Sequence, residues 1–190
     1  MRRSNKDRSE SMRQALMDAA RALFIEKGYA ETATPEIVAL AGVTRGALYH
    51  HFEDKRALFR AVIEREAAEV AADIEASAPD GGSPRDAILN GTRAYFDAMA
   101  RPGRTRLLLL DGPAVLGMEL MRAIDTETAE ASLVVGLGAL LSGTRNSGKA
   151  AMLAVLLSAA FDRAALAIEA GADRRACEEA IAALIDGLMR

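Results

Sequence analysis

Residues 37–59 read IVALAGVTRGALYHHFEDKRALF, and the fold turns on them. Two short apolar-periodic segments flank Ala41-Gly42-Val43. A glycine between them permits the tight turn that sets two helices at a steep angle, the geometry of a helix-turn-helix. Ile37, Ala41, Val43, Leu48 and Phe52 supply the apolar contacts that hold this angle. Thr44 caps the second helix, on which Leu48 and Phe52 stand four apart on one face.

The second helix has the side chains of a major-groove reader. Such helices lead with their N-terminal residues. Thr44 and the amides at the helix start can meet a phosphate. Arg45 can reach guanine edges bidentately. Gly46 and Ala47 are small and allow close approach. Tyr49 and His50 project from the same helix toward phosphate or thymine methyl groups. Lys55, at the next helix start, is placed for a phosphate, and Thr34 can cap its own helix and touch the DNA backbone. These eight residues form the candidate DNA-binding set.

Working outward, residues 1–10 read as a flexible basic arm whose Arg2, Arg3, Lys6 and Arg8 could meet phosphates. Met12, Leu16, Ala19, Leu23 and Phe24 recur at helical spacing and predict a helix over about 11–27, ended by Gly28. Thr34-Pro35-Glu36 starts the next helix, with Thr34 as cap. Asp54 caps a long helix over about 55–76 that joins a head (residues 11–58) to a body (residues 59–190). SAPDGGS at 77–83 is the clearest break. Helices are then predicted over 84–100, 105–111, 112–141, 149–170 and 173–190. The expectation is an all-α chain of about nine helices with no strand.

Composition agrees. The 190 residues are 51% apolar but only 4% aromatic, and Ala and Leu abound. That favours helices over strands. Residues 1–60 carry 11 Lys and Arg against 8 Asp and Glu, while the rest carries 13 against 19. A basic front on an acidic body suits a nucleic-acid-binding head. One cysteine, Cys177, excludes an internal disulfide and a cysteine-built zinc site. The polar N-terminus has no secretory core. The apolar run at 150–168 is interrupted by Asp162 and Arg163, so it reads as a buried helix and not a membrane span. A cytoplasmic protein with no membrane partner is expected.

The signature Phe24, Gly28, Thr34, Ile37, Ala41-Gly42-Val43, Leu48-Tyr49-His50-His51-Phe52 and Lys55-Leu58 resembles the DNA-binding domain of the TetR (tetracycline-repressor-like) family over about residues 10–60. Many members carry an aliphatic residue where Thr34 stands. The stretch LLLLDGPAVLG also looks like one found in a branch of the family. The resemblance implies a homodimer that binds a palindromic operator in double-stranded DNA. It implies a four-helix bundle made by the last two helices and their twins, and a pocket among the middle helices for a small-molecule ligand. It implies no enzyme and no cofactor. Tyr95, Phe96, Met99 and Leu109, with Met118, Met121 and Phe161, are candidates to line the pocket. Leu153, Ala154, Leu157 and Phe161, with Leu184, Ile185 and Leu188, are candidates for the dimer interface.

A rival reading starts from GTRNSGK at 143–149, which fits a phosphate loop, with LLLLD at 107–111 imitating a strand ending in a metal-binding Asp. It would make the chain a small-molecule or nucleotide-handling protein with a merely structural helix-turn-helix. The loop needs Ser or Thr next, and Ala150 stands there. The acidic segment also precedes the loop, the reverse of the usual order. Adjacent His50 and His51 point about 100° apart and rarely share a metal. Asp111 and Glu119 could hold a cation or pair with Arg104, Arg106 or Arg122.

Overall fold

The computed structural model describes residues 5–77 and 81–189, with side chains from residue 7 onward. Among the described residues every regular element is helical: α1 (Asn5–Glu31), α2 (Thr34–Ala41), α3 (Arg45–His51), α4 (Lys55–Ala76), α5 (Pro84–Met99), α6 (Arg104–Arg106), α7 (Gly112–Leu116), α8 (Met118–Glu127), α9 (Ala129–Leu140), α10 (Ala150–Glu169) and α11 (Arg174–Leu188). Leu107–Asp111 joins α6 to α7 in a wider, π-helical winding. The expected helix over 112–141 is three helices, which accounts for eleven segments where about nine were expected. Gly117 breaks it at φ 91°, and Thr128 breaks it again at φ −123°, ψ −109°.

The chain forms two compact units. Unit one holds residues up to Arg65 together with Arg106–Met118, and unit two holds Glu66–Thr105 and Glu119–Arg190. The first half of α4 thus belongs to unit one and its second half to unit two. The segment 106–118, expected in the body, packs with the head.

In unit one, α1 packs on α2 and α3. Leu16, Ala20, Phe24, Ile37, Leu48, Leu58 and Phe59 are fully buried. Phe24 and Tyr29 each set an edge against Phe59, with centroids 5.1 and 5.0 Å away. The first helix is longer than expected at both ends. It starts at Asn5, so residues 5–10 are helical and not a loose arm, supported by Asp7 in the first turn and a Gln14–Glu10 hydrogen bond of 2.7 Å. The arm residues Arg2 and Arg3 and the Lys6 side chain lie outside the described residues. Gly28 sits at φ 82° and kinks the helix, which resumes to Glu31. Buried Thr32 donates to the carbonyl of Gly28 at 2.8 Å and closes this corner.

In unit two, α9 packs on α10 and α5, and α11 packs on α10 and α5. Gly136 lets α9 approach closely, because a Cβ there would stand 3.1 Å from Ile88 Cγ1. Arg85 binds Asp186 through two bonds of 2.5 and 2.8 Å, tying α5 to α11. Arg104 is 1% exposed, and its Nε donates to Glu66 at 2.8 Å. Its other nitrogens reach Glu69 and the carbonyl of Ala98. Arg106 pairs instead with Asp111, at 3.3 Å within unit one.

The segment Ser147–Glu169 is long and apolar enough, by composition, to cross a membrane, yet only 22% of it is buried. The expectation of a buried helix holds for one face alone. Ala154, Leu157, Phe161 and Ala165 face inward, while Met152 and Leu156 are 64% and 61% exposed.

Candidate nucleic-acid interface and ligand cavity

The turn between α2 and α3 is built as its sequence requires. Gly42 lies at φ 66°, ψ 29°, and its amide bonds the carbonyl of Ala39. A Cβ at Gly42 would meet nothing within 4 Å, so the backbone angle alone demands glycine there. Thr44 caps α3, its hydroxyl accepting from the Ala47 amide at 3.2 Å. Leu48 is completely buried and fixes which face of α3 looks outward. Thr44, Arg45, Gly46, Tyr49 and His50 are exposed, and Ala47 is half-buried. The Arg45 guanidinium stands 5.5 Å from the centre of the Tyr49 ring. The helix carries no acidic residue. Six of the eight expected residues therefore lie on α3 or its cap, five of them exposed, and Arg45 gives the helix a positive charge.

The other two stand apart from α3, and the capping role expected of Thr34 is corrected. Thr34 does not cap α2; Ala33 holds the cap position, and Thr34 is the first helical residue, half-buried. The chain puts its cap acceptor on Glu36, which receives the Ala33 amide at 3.0 Å and the Lys27 ammonium at 2.5 Å. The Lys27 bond, and then the amide, hold the Glu36 carboxyl below its usual range. Lys55 is not a free cation aimed at solvent. Its ammonium donates to the carbonyls of Tyr29 and Thr32 at 2.9 and 3.0 Å and lies 4.3 Å from the Tyr29 ring centre. It satisfies carbonyls at and just beyond the α1 end, a stabilising place for a cation.

His50 is exposed and His51 half-buried, with ring centres 5.3 Å apart. Among the described residues no group of three or more His, Cys, Asp or Glu is arranged to hold a metal. The segment 143–149, from which the phosphate-loop reading came, is a turn ending in one 3-10 winding, Ser147–Lys149. The Lys149 ammonium bonds the Asn146 side chain at 3.1 Å.

Unit two has a partly open cavity of about 520 Å³ among α4, α5, α8, α9 and α10. Of the expected lining, Tyr95 and Phe161 are in it, their ring centres 5.9 Å apart. Phe96 and Met99 are turned away and border a smaller space of about 240 Å³ beside Ala165 and Ile168. Phe96 is turned about 100° from Tyr95 around α5, and that turn carries it to the smaller space. Leu109, Met118 and Met121 line neither space. Leu109 and Met118 belong to unit one, and Met118 is 71% exposed.

The polar floor of the cavity was not foreseen. The Tyr95 hydroxyl donates to Asp162 at 2.6 Å, and the Ser158 hydroxyl donates to Asp125 at 3.0 Å. Burial pushes the Asp162 carboxyl up to about 6, opposed by the Tyr95 bond and helped by nearby Asp125. Burial also raises Asp125, against the Ser158 bond. Tyr95 itself is pushed well above its ordinary value by burial and by the Asp162 charge. The signal for Asp162 was present in the sequence as a charge inside an apolar run. Asp125, on the short α8, left no such mark.

The expected dimer residues divide. Ala154, Leu157, Phe161 and Ile185 are buried within the protomer's own core, and Leu153 and Leu188 are half-buried. Leu184 is 54% exposed. The apolar residues that face outward are Met152 and Leu156 on α10, with Ala176, Ala180, Ala183 and Leu184 on α11.

Comparison with known proteins agrees with this architecture. Residues 16–62 match the bacterial regulatory proteins of the tetR family, and residues 85–190 match the tetracyclin repressor-like C-terminal domain. The chain is 45% identical over 65 residues to the HTH-type transcriptional repressor BepR of Brucella suis, covering 34% of this chain and 31% of that protein. It is 33% identical over 110 residues to the HTH-type transcriptional regulator AcrR of Shigella flexneri, covering 57% and 51%. It thus spans about a third to a half of the length of these curated relatives. A crystal structure of a TetR-family transcriptional regulator from Pectobacterium atrosepticum is 30% identical, with a TM-score of 0.67 over 99% of this chain and 96% of that one. The fatty acid degradation regulator FadR of Bacillus halodurans shares the fold at 14% identity, with a TM-score of 0.75 over 97% and 96%. With both halves matched, the chain belongs to the tetR family of bacterial regulatory proteins, which are DNA-binding transcriptional regulators.

Proposed function

We propose that this protein is a cytoplasmic, homodimeric repressor that binds a palindromic operator and leaves it when a small molecule enters the cavity of unit two. The observation that carries the reading is the outward face of α3. Arg45, Tyr49 and His50 stand on it without an opposing carboxylate, and Leu48 anchors it from behind. Arg45 reads a guanine, Tyr49 and His50 touch phosphate or a thymine methyl, and Gly46 and Ala47 permit close approach. Thr44 and Thr34 contact the DNA backbone. Lys55 acts behind this surface by holding the end of α1.

Two such heads read half-sites roughly 34–36 Å apart or a multiple of that spacing. The pairing face is the outward apolar stripe of α10 and α11. A ligand need only favour a head arrangement that fits DNA poorly; a coupling of about 1–3 kcal/mol changes affinity roughly 5–150-fold. Repression is inferred from relatives such as BepR, whose name describes a repressor.

The test is selection of binding duplexes from random DNA with purified protein, read by sequencing. Enrichment of one palindrome supports the reading. No enrichment at low salt, from protein shown to be folded, overturns it.

A further inference from the structure

The cavity of unit two has a one-sided charge. Four carboxylates are among its lining residues, Glu75, Asp125, Glu130 and Asp162, and no Lys, Arg or His. The four arginines of α5 and α11 have other partners: Arg85 pairs with Asp186, Arg174 with Asp97 and Glu178, Arg175 with Glu179, and Arg93 bonds the Asn90 side chain. Among the described residues no cation pairs with Asp125 or Asp162, whose partners are the neutral hydroxyls of Ser158 and Tyr95. Carboxylates withdrawn from water without a counter-ion are costly, and a cation beside them relieves the cost. Asp162 is raised only to about 6, so at neutral pH it is mostly an anion.

The rest of the lining is apolar, with Ile74, Ile88, Leu133 and Phe161 prominent. The Tyr95 hydroxyl bonds the Asp162 oxygen, the Phe161 ring stands 5.9 Å from the Tyr95 ring, and aromatic faces attract a positive charge. About 520 Å³ suits an organic molecule of moderate size. Among the described residues the acids do not converge into a metal-holding group, which turns the choice to an organic cation.

We propose that the ligand of this cavity is a lipophilic organic cation, its charge held by Asp162 and Asp125 and its body by Tyr95, Phe161 and Ile88. This rests on the reading of unit two as the ligand-binding part of a ligand-released regulator. Anions of the same shape are repelled by all four carboxylates. Neutral molecules of the same shape gain the apolar contacts and leave the two aspartates uncompensated.

Calorimetric titration of the full chain with three probes tests it: tetraphenylphosphonium, its anionic counterpart tetraphenylborate, and neutral triphenylphosphine oxide. The expected result is binding of the phosphonium in preference to the other two. Asp162→Asn and Asp125→Asn should each weaken it by about tenfold or more, with a cooperatively folded chain and DNA binding retained. Equal or tighter binding of the borate or the oxide overturns the proposal, as does no binding of the phosphonium or full affinity in the double variant. Anisotropy of a labelled operator duplex separates the two readings. If a neutral or anionic compound binds in the cavity and releases the DNA, the cation assignment fails and ligand release stands. If the phosphonium binds through the aspartates without altering DNA affinity, the assignment stands and ligand release fails.

Discussion

The Lys55 ammonium donates to the Tyr29 carbonyl at 2.9 Å and lies 4.3 Å from the centre of the same residue's ring. One side chain thus binds both the backbone and the aromatic face of a residue 26 positions earlier. Lys55→Met should cost about 1–3 kcal/mol of stability, because the carbonyls of Tyr29 and Thr32 lose a charged donor. DNA affinity should fall with it, since the corner that seats α2 and α3 loosens. The slope of log affinity against log salt should stay unchanged. A slope reduced by about 1 would place Lys55 on a phosphate instead.

Arg45 should behave in the opposite way. It is exposed at the start of α3, with the Tyr49 ring 5.5 Å away and no carboxylate on its helix. Arg45→Ala should leave stability nearly unchanged, weaken operator binding by about 1–3 kcal/mol and relax base choice at one position of each half-site. Duplex selection with the variant reads both effects. Unchanged affinity and unchanged preference would remove Arg45 from the reading set.

The head was legible because its information is local. Gly42, Thr44, Leu48 and Asp54 act within one turn of where they stand: the turn angle, two caps and the buried anchor follow from neighbours in sequence. The carbonyl partners of Lys55 are not legible locally, because Tyr29 and Thr32 are 26 and 23 residues away. The helix over 112–141 was misread for a different reason. Gly117 breaks it while Gly136 and Gly138 lie inside α9, so glycine by itself does not announce its own conformation. The cavity floor joins Asp125 and Ser158, 33 residues apart, and Tyr95 and Asp162, 67 apart. Only Asp162, as a charge within an apolar helix, showed that something had to meet it.

Asp162 makes a pH prediction. Its carboxyl is pushed from 3.8 to about 6 in the folded chain, chiefly by burial. The unfolded chain therefore ionises first as pH rises. Between about pH 4 and pH 6 this residue costs the fold stability, and above pH 6 the whole cost is in place. Asp162→Asn keeps an acceptor for the Tyr95 hydroxyl and cannot ionise. It should raise the melting temperature at pH 7.5, by the equivalent of up to about 3 kcal/mol, and leave it unchanged at pH 4. An equal shift at both pH values would assign the effect to packing.

Arg104 and Glu66 are a buried pair, with side chains 1% and 2% exposed and 2.8 Å between them. Arg104→Met removes a charged donor from the buried Glu66 carboxylate and should cost about 3–5 kcal/mol by urea unfolding. Replacing both, Arg104→Met with Glu66→Leu, should recover much of that loss, because the pair's own desolvation is then removed too. If the double variant were no more stable than the single one, the remaining contacts of Arg104 with Glu69 and Ala98 would be what matters.

The neighbours Leu184 and Ile185 separate assembly from folding. Leu184 is 54% exposed on the outward stripe of α11, while Ile185 is completely buried in the protomer. Both are large aliphatic residues on one helix, about 100° apart around its axis. A charge at Ile185 meets the protomer's core, and a charge at Leu184 meets water unless a second copy covers it. Ile185→Glu should therefore unfold the chain. Leu184→Glu should leave a folded monomer that has lost tight binding to the palindrome, since one head alone contacts half the site. Light scattering coupled to size exclusion, with circular dichroism on the same fractions, distinguishes the two. A Leu184→Glu protein that remains a dimer would move the pairing face off this stripe.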